Sequence, residues 1–106
     1  MIFISSPYAG DTETNVERAR AYCRYAINEG YMPVAPHLLY PQVLDDNNPE
    51  ERELGLRFGL ALLSLCDEIW CFGSPSPGMK AELAFARERR IPIKMYPAEP
   101  EKGNKA

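Results

Sequence analysis

Four short apolar runs, separated by three helix-length segments, constrain this chain more than any other feature. Met1–Ser5 is apolar and ends in a Ser-Ser-Pro turn, which predicts a buried strand. Tyr31–Ala35, Ile69–Phe72 and Ile91–Tyr96 read as three more strands. Between them, Thr14 and Glu17 have capping-box spacing, and Val16, Ala19, Cys23, Ala26 and Ile27 recur at helical intervals until Gly30 stops them. Asn48-Pro49-Glu50-Glu51 combines a cap, a first-position proline and early acids, predicting a helix that runs to about Cys66. Met79–Arg90 is the third helix. The stretch Pro36–Asn48 is a long loop with at most one helical turn.

Strands that alternate with helices imply βαβ units and a parallel sheet. The expected fold is a single Rossmann-like or flavodoxin-like α/β domain of three layers, with about four parallel strands and helices on both faces. It spans residues 1–96, and 97–106 is a polar tail expected to fray. The first and third strands are uniformly apolar, as central parallel strands are. Pro33 and Lys94 place the second and fourth at the edges. Right-handed crossovers then give the order 2-1-3-4. The winding reverses between strands one and three, and open α/β sheets bind ligands beyond the strand ends at that switch point.

Two loops meet there. Ser5-Ser6-Pro7-Tyr8-Ala9-Gly10 follows strand one, and Gly73-Ser74-Pro75-Ser76-Pro77-Gly78 follows strand three. Glu82 stands at or near the first turn of the next helix. Neither loop is a Walker lysine loop or G-x-G-x-x-G, which argues against ATP hydrolysis and dinucleotides. Small residues, hydroxyls and free backbone N–H groups suit a sugar or a phosphate instead. Tyr8 could lie against a flat base. A carboxylate near a helix amino end ionises easily and could attack an anomeric carbon. It could equally do no more than complement the helix dipole.

Composition narrows the partners. In 106 residues, a formal net charge of −3 argues against nucleic acid. Arg87, Arg89 and Arg90 suit the end of a helix better than a binding face. The amino end lacks the charged and long apolar regions of a signal peptide. Leu54–Cys66 contains Arg57 and falls short of the ~20 residues that span a bilayer. Cys23, Cys66 and Cys71 read as reduced thiols of a cytoplasmic protein, without metal-ligand spacing. No cofactor and no metal are expected.

The segments FISSPYAG, CDEIW and SPGMKAELAFARERRIPI, in that order and around a helix, resemble the nucleoside 2-deoxyribosyltransferase-like superfamily. They are similar to a small branch with the pattern PYAG…APHLLYPQ…GMxAE, over about Ile2–Tyr96. The resemblance implies a homo-oligomeric enzyme in which a glutamate matching Glu82 takes a deoxyribosyl group from a nucleoside or nucleotide. It implies a substrate site walled by Ser6, Tyr8 and Gly10 with Ser76, Gly78 and Met79; the loops add Pro7 and Gly73. Characterised members also carry an acid in the helix before strand three. The matching stretch here, Leu56–Ala61 with Gly59 in register, has none.

His37 follows strand two at the same sheet edge, as a hydrogen-bonded structural residue or as a substrate or proton-transfer residue. Asp45 and Asp46 suit Asx turns, or a second carboxylate should their loop fold over the site. Asp67 suits a turn at the far end of strand three, and Arg18 an exposed helix charge or a phosphate contact. Leu54–Cys66 is apolar nearly all round, with Gly55 and Gly59 four apart, which predicts a homodimer or larger assembly, the alternative being internal packing of small residues against the sheet. Three functions remain open: N-glycosidic bond hydrolysis or deoxyribosyl transfer through Glu82, binding of a nucleotide or nucleotide-derived signal without chemistry, or an accessory oligomer with a vestigial crevice.

Overall fold

A computed structural model describes residues 1–8 and 10–99. In chain order the elements are β1 (Ile2–Ser5), α1 (Thr12–Asn28), β2 (Pro33–Val34), α2 (Pro49–Leu63), β3 (Glu68–Phe72), α3 (Pro77–Glu88) and β4 (Ile93–Tyr96). The four strands form one parallel sheet in the order β2-β1-β3-β4, the order that edge and centre composition predict. The long loop holds two short 3₁₀ turns, Pro36–Leu38 and Tyr40–Gln42, rather than one.

Several boundaries differ from expectation, each for a local reason. Helix α1 starts earlier than the Thr14–Glu17 box. Asp11 is its cap and accepts a 3.3 Å hydrogen bond from the Thr14 backbone N–H. Strand β2 shrinks to two residues, because Pro33 has no N–H for a ladder. Ile91 lies in the turn that closes α3 rather than in β4: its N–H bonds the Ala86 carbonyl at 2.8 Å, after Arg90 adopts φ 59°. Ser76 caps α3, so that helix begins at Pro77 instead of Met79. Residues 100–106 of the expected tail lie outside the described residues. Just before them, the Ala98 carbonyl accepts a 2.5 Å bond from the Tyr22 hydroxyl.

Strand periodicity sorts the core into two layers. Phe3, Ile69 and Cys71 face α2 and α3, where Leu63, Met79, Leu83 and Ala86 meet them. Ile2, Ile4, Trp70 and Phe72 face α1, where Tyr22 and Ala26 meet them. Tyr22 stacks on Phe72 with ring centres 4.1 Å apart, and Tyr96 stacks on the same ring at 5.0 Å. Each fully buried large apolar side chain contributes roughly 1.5–3 kcal/mol. The sheet therefore provides a rigid floor, and its carboxyl ends carry the loops that form the site. At Asp67, the opposite end of β3, the carboxylate accepts a 2.6 Å hydrogen bond from the Met1 amino group, far from those loops.

Candidate functional site

The site begins with two periodicities. Ser5 is two residues beyond Phe3, so it faces the α3 side of the sheet. On α3, Met79, Leu83 and Ala86 form the buried stripe, and Glu82 falls within that stripe at helical spacing. The two side chains meet: Ser5 Oγ donates a 2.7 Å hydrogen bond to Glu82 Oε1. Glu82 lies in the second turn of α3, past the amino-terminal turn where a dipole partner would stand.

Burial now dominates the carboxyl group. Desolvation pushes Glu82 up to about 7, and the hydrogen bond from Ser5 pulls the other way. The expectation of an easily ionised helix-end acid is thus corrected; Glu82 sits among core residues and loses its water. Among the described residues it makes no second hydrogen bond, and no buried polar side-chain atom there lacks a partner. Glu82 is also one of the residues that line the adjoining cavity.

That cavity has a volume of about 240 Å³, just below the ~300 Å³ lower end of ordinary ligand pockets. Tyr8 from the first loop, and Gly78 and Glu82 from α3, contribute to its wall. Most of the wall comes from the stretch between β2 and the middle of α2. Pro36, His37 and Tyr40 line one part, and Gly55, Leu56 and Gly59 of α2 line another. The loop packs on the helix at both glycines: a Cβ at Gly59 would stand 3.9 Å from Pro36, and one at Gly55 would stand 3.4 Å from Leu44, both ordinary contacts. Their spacing thus serves an internal contact within the domain.

His37 is held at the wall. Its Nε2 lies 3.0 Å from Ser6 Oγ, and its ring meets the edge of Tyr8 with centres 6.4 Å apart. Burial lowers its pKa to about 4, so the imidazole is neutral at pH 7. Asp46, Glu51 and Arg52 form the polar mouth. Asp45 makes the expected Asx turn, accepting from the Asn47 N–H at 2.9 Å. Asp46 reaches the cavity, because the loop does fold over it.

The other expected site residues lie elsewhere. Ser6 supports His37 without lining the cavity. Pro7 is half-buried, and Gly10 is exposed with φ 92°. Gly73 adopts φ 82° to turn the chain off β3 and packs near Ala98. The Ser76 hydroxyl is committed to the Met79 N–H at 3.3 Å, and Met79 points into the core at 2% exposure. Burial pushes all three thiols up, which leaves none primed as a nucleophile. Among the described residues, no three His, Cys, Asp or Glu side chains cluster to hold a metal.

Comparison with known proteins now bears on this geometry. The profile of the Domain of unknown function (DUF7768) matches residues 1–96. No curated protein matches the sequence. Among solved structures, a 2-deoxyribosyltransferase from the psychrotolerant bacterium Bacillus psychrosaccharolyticus superimposes with a TM-score of 0.69. It is 16% identical, and the alignment covers 95% of this chain and 74% of that one. The likeness establishes a shared Rossmann-like fold. That protein is described as a biocatalyst for nucleoside synthesis.

Proposed function

This chain belongs to the DUF7768 family, and from that premise we propose that it cleaves or exchanges the N-glycosidic bond of a nucleoside or nucleoside monophosphate. The observation that carries this reading is Glu82, a carboxyl group fixed through one oxygen by Ser5 and lining a largely apolar cavity at the carboxyl edge of the sheet. Oε2 attacks the anomeric carbon and forms an ester. The carbon–nitrogen bond breaks, its electron pair leaves with the base, and the base takes a proton from solvent. Water or a second base then attacks the same carbon, and the Glu82 carboxylate departs. The two displacements together retain configuration at that carbon.

Each neighbour has a part in this scheme. Ser5 orients the carboxylate and favours its ionised form. Tyr8 and Tyr40 offer faces to a planar base. His37, neutral and anchored on Ser6, presents one ring nitrogen to the base or sugar. The reading needs neither metal nor cofactor. Three free thiols fit a reducing, cytoplasmic setting.

A homodimer or larger assembly accompanies this proposal. Leu56, Phe58 and Leu65 of α2 and its carboxyl end are 43%, 38% and 68% exposed, an unusual load for one helix of a small domain.

The test is base release from a panel of deoxynucleosides and their monophosphates. Wild-type protein should liberate free base, and Glu82→Gln should not. Undiminished release by Glu82→Gln would overturn the nucleophile. A second reading, a binding module without chemistry, draws on Gly59: it stands where the resembled enzymes carry a helix acid, and the acid that α2 brings to the cavity is Glu51, two turns earlier. Ligand-induced thermal stabilisation without released base would favour it.

A further inference from the structure

We propose that Asp46 and Glu51, at the mouth of the cavity, select an unphosphorylated nucleoside over its monophosphate. This deepens the reading above and rests on it for the identity of the ligand. Three carboxyl groups and one guanidinium line the cavity: Asp46, Glu51, Glu82 and Arg52. When Glu82 is ionised for attack, three carboxylates face one guanidinium. That guanidinium turns its Nε toward Asp46. Arg52 Nε donates to the Asp46 carbonyl at 3.3 Å and lies 3.8 Å from the Asp46 carboxylate. Glu51 is held in place too, since its Oε1 accepts the Asp45 N–H at 2.6 Å. The remaining basic side chain of the wall, His37, is buried and uncharged at pH 7.

Helix ends do not offset this balance. The amino end of α1 is capped by Asp11 and carries Glu13 in its first turn. The amino end of α2 carries Glu50 and Glu51, and its N–H groups already bond Asn48. Only α3 lacks an acid in its first turn; there Pro77 has no N–H and the Met79 N–H is taken by Ser76, so its contribution to the cavity comes down to the Gly78 N–H. A phosphate dianion entering the cavity would meet like charge and few open donors. A sugar hydroxyl would instead find carboxylate acceptors, which bind it without repulsion. The cavity of about 240 Å³ also favours the smaller ligand.

The experiment compares deoxynucleosides with their monophosphates, by base release and by calorimetric affinity, for wild type, Asp46→Asn/Glu51→Gln and Arg52→Ala. The proposal expects at least a ~10-fold preference for the nucleoside, narrowed in the double variant, with no loss of monophosphate use in Arg52→Ala. Preference for the monophosphate, abolished in Arg52→Ala, would overturn it and make Arg52 the phosphate receptor. Release from neither ligand, with the nucleoside still bound more tightly, would remove the chemistry and keep the selection. Binding of neither would overturn both readings.

Discussion

Ser5, the last residue of β1, donates a 2.7 Å hydrogen bond to Oε1 of Glu82 in the second turn of α3. This contact joins the central strand to the helix that carries the proposed nucleophile. It also sets that carboxylate's balance between burial, which favours the proton, and hydrogen bonding, which favours the charge.

Activity should therefore rise with pH through about 7, as Glu82 ionises. In Ser5→Ala the bond that lowers the Glu82 pKa is gone. The rising limb should move up by about one pH unit, the equivalent of one charge-assisted hydrogen bond. An unmoved limb in Ser5→Ala would show that another group controls the profile.

Stability should carry two opposed pH dependences. Glu82 has a folded pKa of about 7 against an ordinary 4.5. Its raised value stabilises the fold below 4.5, and that contribution is lost as pH rises to about 7. His37 has a folded pKa of about 4 against 6.5. Its lowered value favours the fold above 6.5, and that contribution is lost as pH falls to about 4. The two nearly cancel between pH 4.5 and 6.5. Denaturant melts should show Glu82→Gln gaining stability from pH 4 to 6.5, and His37→Asn losing it from 4.5 to 7, each by about 3 kcal/mol. Variants whose profiles run parallel to wild type would contradict these environments.

Gly59 gives a stability–function trade. A Cβ there has room, standing 3.9 Å from Pro36, and alanine gains up to ~1 kcal/mol of helix propensity. Because Gly59 lines the cavity, the same methyl takes space from the ligand. Gly59→Ala should melt higher and bind nucleoside more weakly. A rise in both stability and affinity would place the ligand elsewhere.

Light scattering should return a mass that is a multiple of 12.0 kDa at micromolar concentration. A clean monomer would end the oligomer proposal and leave Leu56, Phe58 and Leu65 as exposed apolar residues of a single domain.

The strand order was legible because composition separates edges from centre: Pro33 and Lys94 on β2 and β4, unbroken apolar residues on β1 and β3. Glu82 was legible as a candidate near the start of α3, but its burial depends on which face of that helix meets the sheet. The stripe Met79, Leu83, Ala86 already placed Glu82 on the sheet-facing side, and period-two counting from Phe3 placed Ser5 opposite. Those two patterns together would have found the contact. The polar mouth was harder. Asp46, Glu51 and Arg52 reach the cavity because a loop with two 3₁₀ turns folds back over α2, with Pro36 and Leu44 packed beside Gly59 and Gly55. Such a fit between distant side chains leaves no local periodicity. Ser76 and Met79 show the converse: two motif positions near Glu82 hold a helix cap and a core residue.

The most direct test of the central claim is the intact mass of the protein after reaction with a nucleoside whose sugar is fluorinated beside the anomeric carbon. The fluorine slows breakdown of a glycosyl ester. The account predicts a mass increase equal to one fluorinated sugar, mapped by peptide sequencing to Glu82 and absent from Glu82→Gln. Base release without any adduct, or an adduct that persists in Glu82→Gln, would contradict it.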